Sequence, residues 1–307
     1  MTSTNPIIGF IGFGEVAYYL SRGLRKEGVE QILAYARSMA KPGYGEMIRN
    51  RAQEAGVELA PTFEELVTRS EVVISAVYGH VALQVAEDAA RSIHPDSLFA
   101  DLNNAPPSAK QRGAEVIQAK GAKFVDIGLF ETPARAGHKA LMVVSGEGAE
   151  QFKEVMSQYG MNIEVVPGEA GKATTIKTLA NIYMKGVQAI CLELALSAHQ
   201  AGIDLDLLGP LVVRPVATLP REQEMAFWIV RGGLSAARKA AELQDMLATM
   251  QGWGIDPIMM EATIKRLNLI AQYDLKEHFP GGLPLEDYQA MLETMHKISE
   301  EREIELE

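Results

Sequence analysis

Lys177 and Asn181 stand four residues apart in a stretch of helical periodicity, which puts them one turn apart on one face. An ammonium beside a carboxamide can hand a proton to a carbonyl oxygen while the amide fixes that oxygen's position. A lysine used this way must release its proton more readily than a free one (~10.4), through desolvation or a nearby cation. A solvated lysine next to a surface asparagine has the same spacing, so the pair by itself leaves both readings open. A second set lies near the start of the chain. Gly12-Phe13-Gly14-Glu15-Val16-Ala17 follows an apolar run and reads Gly-x-Gly-x-x-Ala. The first glycine permits a tight turn, and the second lets backbone approach a pyrophosphate. The small Ala17 allows helix and strand to pack closely. The N–H groups opening a helix at Glu15 and Val16 would face the phosphates.

The end of the next apolar run is Ala34-Tyr35-Ala36-Arg37-Ser38, with no acid between Ile32 and Lys41. An acid at this point would hold a ribose 2′-hydroxyl. Arg37 and Ser38 instead suit a 2′-phosphate, which favours NADP(H) over NAD(H).

Elements of particular kinds must position these groups. Apolar runs at residues 7–11, 32–35, 72–77, 97–102, 124–127, 141–144 and 163–166 alternate with amphipathic stretches at 16–26, 44–55, 63–68 and 81–92. That rhythm implies a parallel sheet covered on both faces, with the last two strands open to antiparallel pairing. After Pro167 the pattern becomes helical. Ile176, Leu179, Tyr183, Val187, Ile190 and Leu194 mark one helix over 172–200, roughly 42 Å long at 1.5 Å per residue. Further helices are expected at 234–251, 257–273 and 284–301, with a less regular stretch at 211–233. The fold class is therefore α/β: a Rossmann-type doubly wound domain over 1–167, and an all-helical domain over 168–307, joined by one long helix.

Composition narrows the function. The 307 residues carry a net charge of -11 with cations dispersed, which argues against nucleic acid or anionic membrane as partner. No uncharged apolar run reaches ~18 residues, so no membrane span is expected. The single Cys191 cannot form an internal disulfide and suggests a reducing, cytoplasmic setting. The histidines are too scattered to suggest metal ligands. The apolar surface of the long helix suggests a homodimer.

The glycine turn, the Tyr35-x-Arg37-Ser38 strand end and Gly171-x5-Lys177-x3-Asn181 together resemble the β-hydroxyacid dehydrogenase family, which includes 6-phosphogluconate dehydrogenases and the imine reductases. The resemblance implies a Rossmann domain and a helical domain, usually in a dimer. It makes Lys177 the general acid/base and Asn181 the group orienting the substrate oxygen. It also places Asn103 and Asn104 near the nicotinamide and has Val77 and Tyr78 line the cofactor. The family's substrate loop, Asp-x-Pro-x-Ser-Gly-Gly, is altered to Asp126-Ile-Gly-Leu-Phe130-Glu131-Thr132. An ionised Glu131 disfavours a carboxylate substrate unless Arg135 or Lys139 compensates. The resemblance thus implies an NAD(P)-dependent dehydrogenase or reductase acting on a small alcohol or hydroxyacid and its carbonyl. An imine reductase-like enzyme and a non-catalytic NADPH-binding regulator are the alternatives.

Overall fold

A computed structural model describes residues 5–302. The order along the chain is β1 (Ile8–Ile11), α1 (Glu15–Lys26), β2 (Ile32–Tyr35), α2 (Tyr44–Ala55), β3 (Glu58–Leu59), α3 (Phe63–Arg69), β4 (Val72–Ser75) and α4 (Ala82–Ala89). Next come β5 (Leu98–Asp101), α5 (Pro107–Gln118), β6 (Lys123–Leu129), α6 (Pro133–Ala136), β7 (Met142–Ser145), α7 (Ala149–Met156) and β8 (Ile163–Val165). The eight strands form one sheet in the order β3-β2-β1-β4-β5-β6-β7-β8. All neighbours pair parallel except β6 and β7, so β7 and β8 run against the rest.

Strand residues alternate between two cores, as the period of two requires. Ile8, Phe10, Val72, Ile74, Leu98 and Ala100 face one core with Leu20 and Leu24 of α1 and Phe152 of α7. Ile11, Val73 and Phe99 face the other with Leu66 of α3 and Ile117 of α5. Each fully buried Leu or Phe contributes about 1.5–3 kcal/mol, which is why four-residue strands suffice here. Local signals set the helix ends. Thr62 Oγ1 accepts from the Glu65 N–H at 3.1 Å to start α3, and Pro107 occupies the first turn of α5.

The switch in strand order lies between β1 and β4, the place where open α/β sheets bind ligands. Gly12 sits there with φ +87°, and a Cβ on it would meet the Ala76 carbonyl oxygen at 2.4 Å. Glycine is required on both counts.

The second half holds α8 (Lys172–Gln200), α9 (Leu205–Val213), α10 (Arg221–Leu234), α11 (Ala236–Gly252), α12 (Ile258–Ala271), α13 (Leu275–His278) and α14 (Tyr288–Arg302). The stretch 211–233, which reads as irregular, contains most of α10. By contacts the chain divides into compact units Met1–Ile182 and Tyr183–Glu307. The first turns of α8 are bonded to the sheet through Asp126 and Ser145, so they belong with it. Within the second unit, Val230, Tyr273, Leu275, Met291 and Ile298 form a small core. Both Glu193 carboxylate oxygens cap α12, accepting from the N–H groups of Met259 (2.7 Å) and Met260 (3.0 Å).

One expectation needs correcting. By length and composition alone, α8 is apolar enough to cross a membrane. The charges at Lys185 and Glu193 interrupt the run in sequence, but they do not lower its mean hydropathy enough to exclude it.

The histidine that this fold buries is His138, packed so tightly on α1 that a Cβ at Gly23 would collide with its ring. Its Nε2 lies 3.4 Å from a Glu27 carboxylate oxygen but has no hydrogen-bond partner. Burial pushes the His138 pKa down, and the partial attraction of Glu27 offsets this only in part. The neutral form is therefore the folded form, and the unfolded chain binds the extra proton. Stability should fall as pH drops below the ordinary histidine value of ~6.5. Thermal melts between pH 7.5 and 5.5 should show this loss, and His138→Gln should flatten the slope. An unchanged slope in the variant would assign the acid sensitivity elsewhere.

Candidate active site

The C-terminal ends of β1, β4, β5 and β6 share one edge of the sheet, because these strands run parallel. The glycine turn leaves β1 at this edge. Gly14 is the N-cap of α1, and no side chain caps the helix. A Cβ on Gly14 would meet nothing within 4 Å, so backbone lies open where a pyrophosphate would sit. Phe13 does not border that space: it is 2% exposed and packs in the core beneath the turn. Any contact it makes with a cofactor would be through its backbone in the glycine turn. Glu15 is exposed and Val16 half-buried at the helix start.

Arg37 and Ser38 open a short 3-10 turn directly after β2. Arg37 is exposed, and among the described residues no side-chain hydrogen bond or ion pair restrains it. No acid stands beside it at the strand end. These groups fit a nicotinamide dinucleotide.

After β4, Val77 is half-buried, while the Tyr78 ring is 79% exposed and stacks on His80 with centroids 5.9 Å apart. The two asparagines separate. Asn104 is exposed, whereas Asn103 is 4% exposed and turned inward. Its Oδ1 accepts from the Val77 N–H at 2.5 Å, and its Nδ2 donates to Ser75 Oγ at 2.9 Å. Asn103 therefore clamps the ends of β4 and β5 together and does not present its amide to a ligand. If it lies near the nicotinamide, as the resemblance implies, it does so as a support for these strand ends.

Sequence reasoning missed a buried charge cluster directly behind this edge. Lys110 of α5 is fully buried. Its ammonium donates to the Asp101 carbonyl oxygen at 2.8 Å, and lies 3.1 Å from Asp101 Oδ1 and 3.3 Å from Asp126 Oδ1. Asp126 in turn accepts from the N–H groups of Gly171 and Thr174, both at 2.9 Å, and from Thr174 Oγ1 at 2.6 Å. Asp101 closes β5 and Asp126 lies in the middle of β6, and two inward acids on neighbouring strands demand a buried cation. That was the available signal.

Lys177 follows one turn after Thr174. The helix crosses β6 at Gly128, where an added Cβ would stand 3.0 Å from the Ala173 carbonyl oxygen, 3.3 Å from Lys177 Cβ and 3.4 Å from Phe130 Cε2. Gly128 thus seats Lys177 next to Phe130 at the C-terminal end of β6. Asn181, one turn on, is half-buried, and among the described residues its carboxamide has no hydrogen-bond partner.

Phe130, Glu131, Thr132, Ala134 and Arg135 line an open hollow of about 600 Å³. Glu131 is partly committed. Its Oε2 accepts from the Leu141 N–H at 3.0 Å, and its Oε1 lies 3.7 Å from Arg135. Lys139 pairs instead with Glu27. Arg135 is 86% exposed, so its pairing leaves most of the Glu131 charge in place. A second hollow, of about 350 Å³ between α11 and α12, contains none of the residues singled out above. Among the described residues no three His, Cys, Asp or Glu side chains gather where they could hold a metal ion.

Comparison with known proteins agrees with this architecture. The model of the NAD binding domain of 6-phosphogluconate dehydrogenase matches residues 7–168. An uncharacterised 28.5 kDa protein of Methanothermus fervidus is 33% identical over 201 residues, covering 66% of this chain and 74% of its own. An NADPH-dependent reductive aminase of Aspergillus oryzae is 27% identical over 139 residues, covering 42% of this chain and 46% of its own. A solved conserved protein of unknown function, described as structurally similar to 3-hydroxyacid dehydrogenases, superimposes with TM-score 0.57 at 30% identity. That match covers 88% of this chain and 98% of the other. The strand order, the glycine turn at its switch point and these matches have one explanation: the chain belongs to the 6-phosphogluconate dehydrogenase-like family of NAD(P)-binding oxidoreductases.

Proposed function

We propose that the protein is an NADP(H)-dependent oxidoreductase that interconverts a small alcohol or hydroxyacid and its carbonyl, with Lys177 as general acid/base. The observation that carries this reading is the seat of Lys177. The packing of α8 over Gly128 brings that lysine to the same sheet edge as the glycine turn.

The backbone at Gly12, Gly14, Glu15 and Val16 would hold the pyrophosphate, Arg37 and Ser38 the 2′-phosphate, and Val77, Tyr78 and Asn104 the flanks of the cofactor. The bound nicotinamide supplies or takes up hydride. In the reductive direction Lys177 gives its proton to the carbonyl oxygen as negative charge develops there, and in oxidation it receives that proton. Asn181 fixes the oxygen's position, and Phe130, Glu131 and Thr132 border the rest of the substrate. Positioning of this kind and proton transfer each account for large parts of such rate enhancements.

A second reading, reduction of an imine, is favoured by Glu131. Its carboxylate borders the hollow next to Phe130 and would attract a cationic iminium. The reductive aminase relative supports the same reading. Retention of a lysine favours the first, because an iminium already carries the charge that a carbonyl must borrow from a proton donor.

We also propose a second copy of this chain as the partner covering α8. Ile182, Leu192 and Leu179 are 70%, 67% and 61% exposed, more contiguous apolar surface than a helix usually leaves in water. The Glu193 cap on α12 commits this helix to protein packing, which favours another subunit over lipid.

Four outcomes are expected. Arg37→Asp should weaken NADPH binding at least about tenfold, the loss of a charge-assisted contact, while NADH binding changes little; equal losses would remove Arg37 from this role. In a screen of NADPH consumption, aldehydes and ketoacids should turn over in preference to cyclic imines. Lys177→Ala should then lower kcat by about 10²–10⁴ with NADPH affinity intact, and full activity in the variant would end the proposal. Light scattering at micromolar concentration should give twice the chain mass; a monomer, or material that stays soluble only in detergent, would count against the second copy.

A further inference from the structure

The cluster of buried charge extends further than one ion pair, and it has two ends. At one end Asn103 holds the Val77 N–H and Ser75 at the close of β4. The Asn103 N–H donates to Asp101 Oδ1 at 2.8 Å. Lys110 joins Asp101 to Asp126. Asp126 then takes the Gly171 and Thr174 N–H groups and the Thr174 hydroxyl. Ser145 adds a parallel tie, accepting from the Ala173 N–H at 3.0 Å and lying 3.4 Å from Asp126 Oδ2. The side chains of Ser75, Asp101, Asn103, Lys110, Asp126, Ser145 and Thr174 are at most 4% exposed.

Two carboxylates and one ammonium leave one formal negative charge in excess. The start of α8 answers it with its free N–H groups and the positive end of its dipole. Asp126, an acid from the sheet, thereby does the work of a cap for a helix that has none of its own on the preceding loop. The cap sits three residues before Lys177, so the register of that lysine is set from the strand side.

We propose that the chain Asn103–Asp101–Lys110–Asp126–Thr174 positions Lys177, tying the helix that carries it to the strand ends that flank the nicotinamide. This rests on the function proposed above. Asp126, Thr174 and Lys110 are positioning residues, because none of them borders the space where a ligand would lie. Thr174 is the link to cut. Valine keeps the shape of threonine but removes the 2.6 Å bond to Asp126, while the other partners of Asp126 remain.

The test uses the full chain labelled with [ε-¹³C]lysine, the Lys177 resonance being identified by its loss in Lys177→Arg, and NADPH alone as the added ligand. In the wild type NADPH should shift that resonance, because ring and charge effects fall steeply with distance. In Thr174→Val the shift should shrink at least about twofold while the NADPH dissociation constant stays within about twofold, and Thr174→Ser should restore it. Ser145→Ala serves as the second variant if Thr174→Val does not fold, with the same expected loss. A shift of wild-type size in a folded variant with intact NADPH affinity would overturn the positioning role and leave the proposed function standing. No response of Lys177 in the wild type would overturn both.

Discussion

A lysine ammonium with no exposure to water, held between two aspartates, is the constraint to which much of the sheet domain is fitted. Buried ions are costly, and such a pair seldom adds much stability over an apolar replacement. Losing one partner is another matter, at about 3–5 kcal/mol, because an unpaired charge is left in a dry interior. The end of β5, the middle of β6, the first turn of α5 and the entry to α8 must therefore keep their relative places together. A purely apolar contact would tolerate sliding by a fraction of a residue. Hydrogen bonds to fixed oxygens do not, and the site at the neighbouring sheet edge gains its definition from that rigidity.

Most of the sheet could be read from the sequence because fully buried strands are short, continuous apolar runs between turn signals. The strand at Glu58–Leu59 escaped notice because two residues offer no periodicity. The helix Arg221–Leu234 was hidden by its glycines and its mixture of charges, though its neighbours bury Ala226 and Val230. The change of pattern at Pro167 and the change of contacts do not coincide, because contacts change only after three turns of α8. Pattern records where helix begins. It does not record which unit the first turns are bonded to.

The site was legible in unequal measure. The turn at Gly12 could be read because its backbone shape, with φ +87°, leaves a strong mark on residue type. The orientation of Asn103 could not be read, because an asparagine at a strand end serves equally well facing a ligand or facing inward, and only its partners distinguish the two. Lys110 was missed for the opposite reason. A lysine within an amphipathic helix looks solvated, and the aspartates that claim it lie 9 and 16 residues away.

Gly128 has a consequence for how such a site can change. With a helix resting directly on its Cα, that strand position has almost no room for substitution, and the lysine above it keeps its place. Residues 130–132, two steps further along, border open space and bear no such load. Mutation can therefore reshape the border of the hollow while the seat of Lys177 is left undisturbed. A lineage built on this plan can alter the one without moving the other.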